Sequence, residues 1–60
     1  MKIRINEVWN HEGRSKELAT IEVSSDQNPT KSVWAWILAN RPDLDLAKTI
    51  DAHGFHAIAV

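Results

Sequence analysis

The sequence predicts an α+β domain in ββα(α)β order, a three-stranded antiparallel-type sheet with one long helix packed on one face. Three observations predict it. Apolar and polar residues alternate over 3–10 and again over 16–24, the period of a half-buried strand. Between Asn28 and Asn40 the spacing becomes helical, and 55–60 is a short β-type run with apolar residues on both parities. The first strand is expected in the middle, because it can pair with both others.

In the first strand Ile3 and Ile5 point one way and Lys2, Arg4 and Asn6 the other; in the second, Ala19, Ile21 and Val23 oppose Thr20, Glu22 and Ser24. His11 to Ser15, polar and carrying Gly13, reads as the hairpin loop. Setting Asn10 opposite Lys16 places Ile5 against Ile21 and Ile3 against Val23, with Arg4–Glu22 and Val8–Leu18 as pairs on the outer side. That register leaves Glu7 on the buried face. A bulge after Asn6, or an open sheet end from which Glu7 reaches water, has to accommodate it.

The helix begins where an Asn28 side chain can accept from orphan amides and Pro29 gives up an N–H that had no partner. It ends before Pro42, which restricts Arg41. Val33, Trp34, Ile37 and Leu38 form one apolar stripe, so Trp34 is expected in the core and its truncation to be the costly one. Trp36 lies roughly 130° from the middle of that stripe, on a side shared with Ser32, Ala35 and Ala39. Either the C-terminal segment folds over this indole or it faces a partner. Asp43 to His53 suggests a short second helix, with His53 capping it and Gly54 supplying a left-handed stop.

At 60 residues the chain is a single domain, 1–60, and a chain this short buries only about 60% of its unfolded surface. It has no cysteine, so tryptophan or association must supply what disulfides otherwise would. Seven basic and eight acidic residues, with no basic run longer than two, argue against a phosphate-tracking surface. No apolar run has the length of a membrane span, and the alternating N-terminus is unlike a signal peptide. The expectation is a soluble, cytoplasmic protein.

Candidate chemistry is thin. His53, His56 and Asp51, with His11 added from the loop, lack metal-ligand spacing, because a glycine interrupts the two histidines; no metal and no cofactor is expected. Asp43 and Asp45 are two apart and do not converge, and no serine stands in a nucleophile-elbow context. Enzymatic activity and a small-molecule substrate are not expected.

Protein recognition is left. Trp36 is the proposed anchor, with Ala35, Ala39 and Ser32 permitting close approach, the Val8–Leu18 pair as a second contact and a free strand edge as a third. In size and element order the chain is similar to the short inhibitors that phages and mobile elements make against host enzymes and defence complexes, which implies a compact domain that blocks a surface. The alternatives are a homodimeric structural subunit, tested by sedimentation, and a nucleic-acid-associated regulator, tested by duplex and single-strand binding at low salt.

Overall fold

The structure, a computed structural model, describes residues 1–9, 11–45 and 53–60. Its elements are β1 (Lys2–Trp9), β2 (Arg14–Glu22), α1 (Pro29–Asn40), a 3-10 turn (Pro42–Leu44) and β3 (His53–Ala59). The three strands form an antiparallel sheet in the order β2-β1-β3, with β1 central as the pattern predicts.

The hairpin register differs from expectation by two residues. Ile3 pairs with Ile21 and Ile5 with Ala19; the next pair is Asn6 with Glu17, so Leu18 is an extra residue in β2. A two-residue slip keeps every side chain on its expected face, which is why alternation could not detect it. The turn sets the true register: Glu12 N–H donates to the Trp9 carbonyl at 3.0 Å, Gly13 takes φ 64°, and Arg14 already faces Trp9. Glycine meets that left-handed geometry without a Cβ clash.

The bulge reverses the face on which the β2 residues before Leu18 lie. Glu17 moves to the outer face, where it meets Arg4 at 3.1 Å in place of the expected Arg4–Glu22 pair. Leu18 packs half-buried against the core. The expected Val8–Leu18 pair therefore does not exist; Val8 faces Ser15 and is itself buried.

Asn28 Oδ1 accepts from the amides of Thr30 at 3.0 Å and Lys31 at 3.3 Å, and Pro29 opens α1 as the sequence implies. The core is Ile3 and Ile5 of β1, Val23 after β2, Val33 and Ile37 of α1, and Leu44 from the 3-10 turn. Val33 and Ile37 define the centre of the buried helix face, and the two tryptophans flank it at roughly 80° on either side. Leu38, expected on the stripe, is 52% exposed. Two indoles carry more apolar area than one leucine, so a rotation that half-buries both wins over one that buries Leu38.

Trp36 is thus half-buried against the core, while Trp34 is half-buried and meets Phe55 edge-to-face at 5.0 Å. The expected division into a core Trp34 and an outward Trp36 is corrected accordingly. Trp34→Ala and Trp36→Ala should each lower stability by about 1.5–3 kcal/mol in chemical denaturation, less than full-burial truncations. A loss below about 0.5 kcal/mol for Trp36→Ala alone would contradict this packing.

Of the expected second helix, only its beginning and end lie within the described residues. The beginning is the 3-10 turn, and His53 with Gly54 belongs to β3; residues 46–52 lie outside the described residues. His53 is the first residue of β3, and the helix it is expected to cap falls on residues outside those described.

Candidate functional site

Two features dominate the surface around β3, and the first begins with Glu7. Odd residues of β1 face the helix, so Glu7 follows Ile3 and Ile5 inward and is only 5% exposed. A carboxylate cannot remain there without cations. Arg41, just past the end of α1, supplies one as a fork: Nη1 donates to Oε1 at 3.1 Å and Nη2 to Oε2 at 3.3 Å. Its Nε and Nη2 also donate to the Asp43 carboxylate at 3.0 and 2.9 Å.

From the other side His53 Nε2 lies 2.7 Å from Glu7 Oε2. An ionised carboxylate only accepts, so this nitrogen carries the proton. The His53 ring stacks on Trp9 at 5.3 Å, and the Arg14 guanidinium lies 4.2 Å from the Trp9 ring, from the strand on the other side. Glu7 thereby ties the end of α1 and the start of β3 to the central strand.

Burial is the largest influence on Glu7 and pushes its carboxyl up. The hydrogen bonds and charges of Arg41 and His53 together outweigh it and leave the carboxyl below its ordinary value. Asp43 is also lowered, chiefly by its hydrogen bonds from Arg41, and the guanidinium is raised by Asp43 first and Glu7 second.

The second feature is the far side of β3. Val60 N–H donates to the Lys2 carbonyl at 2.9 Å, and antiparallel pairs alternate between bonded and non-bonded types. Gly54, His56 and Ile58 therefore bond to β1, and His53, Phe55, Ala57 and Ala59 turn their N–H and C=O groups outward. Among the described residues no strand pairs with that side. The segment from His56 to Val60 is exposed, including Ile58 at 47% and Val60 at 57%.

Ala57 is too small to fill the space between sheet and helix. An open apolar groove of about 190 Å³ results, lined by Ile3, Pro29, Thr30, Val33, Trp34, Phe55 and Ala57. None of those side chains titrates, so the groove offers packing and no acid–base pair.

The residues proposed from sequence are dispersed. Ala35 and Ala39 are exposed on α1, Ser32 and Trp36 are half-buried, Val8 is buried and Leu18 lies half-buried against the core. The structure does not gather them into one patch. Sequence reasoning noticed that Glu7 was misplaced but missed Arg41 and His53 as its partners; a buried acid beside a helix that ends in arginine was the available signal. His53 and His56 have opposite parity and lie on opposite faces of β3, so they do not converge. Among the described residues no three His, Asp or Glu side chains are grouped to hold a metal ion, and no helix is long and apolar enough to cross a membrane.

Set against protein-family models, curated proteins and solved structures, the chain has no match in any of the three comparisons.

Proposed function

We propose that this chain is a small protein-binding module without catalytic activity, and that it binds by accepting an extended strand along β3. One side chain of the added strand would enter the groove beneath Trp34. Edge strands that proteins keep unpaired are normally blunted by charge, proline or a bulge. The observation that carries the reading is the contrast between the two edges of this sheet. β2 holds Arg14, Lys16, Glu17 and Glu22 and is bulged at Leu18, whereas β3 holds no Asp, Glu, Lys, Arg or Pro and pairs without a register shift. Main-chain bonds along such an edge give affinity, and a pocket for alternate side chains gives selectivity.

This reading moves the proposed contact from Trp36 to Phe55, Ala57 and Trp34. Within it, an inhibitor of the phage or mobile-element kind is the specific proposal that size and element order suggest. The test is Ala57→Pro. The Ala57 N–H points away from β1, so proline removes an outward donor and leaves the β1–β3 ladder intact. Protein captured from the source cell by the wild type should be lost with Ala57→Pro, while circular dichroism shows the same secondary structure in both baits. Equal capture by both, together with an equal oligomeric state, would overturn strand addition.

A further inference from the structure

We infer that the strand accepted by β3 is the β3 of a second copy, in full-length antiparallel overlap about a two-fold axis at His56. The inference rests on the strand-addition reading and names its occupant. A seven-residue strand centred on His56 overlaps itself completely only in this register, and the outward groups of Phe55 then exchange hydrogen bonds with those of Ala57 in the other copy.

Three observations favour a second copy over a different strand. The pairing sets large against small side chains throughout: Phe55 opposite Ala57, Ile58 opposite Gly54, and His53 opposite Ala59. It sets no charged Asp, Glu, Lys or Arg side chain against another, because β3 holds none of them. It also accounts for Leu38. Both helices lie on the same face of the resulting six-stranded sheet, β2-β1-β3-β3-β1-β2, and Trp34, through Phe55, marks the side of α1 that overlies β3.

Leu38 lies one helical step beyond Trp34 on that same side. The two β1 strands stand about 14 Å apart across three strand spacings, so helices packed above them leave a gap that large side chains span. Trp34 and Leu38 from both copies are the residues positioned to fill it. The apolar surface that the monomer leaves at Leu38 is thereby covered, and Ile58, on the other face of the sheet, gains the Gly54 backbone of the second copy beside it.

The natural chain has no cysteine, so one introduced thiol reports one position. His56 faces its own counterpart in a non-hydrogen-bonded pair, whose Cα separation of about 4.5 Å suits a disulfide. At pH 8, where an appreciable fraction of an ordinary thiol is thiolate, His56→Cys should oxidise to a covalent dimer as the main product at micromolar concentration. Ile58→Cys, displaced along the strand, and Thr20→Cys on β2 should stay uncrosslinked under the same conditions. The untagged wild type should sediment as a dimer and Ala57→Pro as a monomer.

Equal crosslinking of all three thiols, crosslinking through Ala57→Cys in preference to His56→Cys, or a wild type that sediments as a monomer would overturn the inference. Should the wild type be monomeric while Ala57→Pro still abolishes capture of another protein, strand addition stands and the second copy is excluded as its occupant. Should Ala57→Pro alter neither, both readings fall.

Discussion

Ile37→Ala is expected to lower stability by about 3–4 kcal/mol, within the usual range for deleting a fully buried aliphatic side chain. Ile37 is fully enclosed, as are Ile5, Val23 and Leu44, and these four side chains come from the helix, the central strand, the residue that follows β2 and the turn after the helix. No neighbour can close the gap without leaving another contact, because each belongs to a different element. A domain of this length has roughly 3–9 kcal/mol in total, so the variant should be partly unfolded at room temperature. Leu38→Ala, one residue along and exposed, should change the monomer's stability by no more than about 0.5 kcal/mol. Urea titration in the Ala57→Pro background, which keeps the chain monomeric, compares them. Equal losses would mean that the helix is rotated toward the stripe expected from spacing alone.

That comparison also shows what spacing can reveal. The existence and limits of α1 were legible, because Asn28, Pro29 and Pro42 act locally through backbone geometry. Its rotation about its own axis was not. Four apolar residues at 33, 34, 37 and 38 and a fifth at 36 are compatible with more than one buried face, and the choice falls to the competition between indole and leucine burial against a particular sheet. The hairpin divides in the same way. Alternation fixed which residues face the helix in β1, whereas the pairing depended on a turn around Gly13 and an extra residue at Leu18. Neither has a signature in a period of two.

The candidate site was less legible than the fold. A free edge could be anticipated from a three-stranded sheet, but its identity follows from topology: β1 is central, so β3 has one side on which no strand of the described residues pairs. The groove exists because Ala57 lies beside Trp34 and Phe55, a juxtaposition of residues far apart in the chain. Sequence did expose Glu7 as an acid on an apolar face. It could not say that the end of α1 and the start of β3 would converge there, since that depends on how the chain returns to the sheet after Leu44.

Glu7→Gln is expected to lower stability by about 2–3 kcal/mol and to change how the protein responds to acid. Removing one partner of a buried pair usually costs about 3–5 kcal/mol; Arg41 and His53 each keep a third of their side-chain surface in water, which reduces it here. The sign of the pH effect follows from the lowered carboxyl. The folded state holds Glu7 below its ordinary value, so the unfolded chain takes up its proton first as pH falls. The stabilisation is complete above about pH 4.5, the ordinary glutamate value, and is lost as pH drops through the lower folded value. Asp43 is depressed in the same direction and adds a smaller acid limb of its own, because it is exposed. The variant should lose the larger part of the wild type's decline below pH 4.5 while keeping the part due to Asp43. Its cost should also be partly repaired by removing the cation as well: Glu7→Leu with Arg41→Met replaces a buried ion pair by apolar packing, an exchange that is often neutral. Thermal melts from pH 7 to pH 2 on the wild type, the single variant and the double variant measure all three. A wild type and a Glu7→Gln variant that lose stability in parallel through that range would show that the carboxylate is not held by Arg41 and His53, and that β3 is fastened to the sheet by its backbone ladder alone.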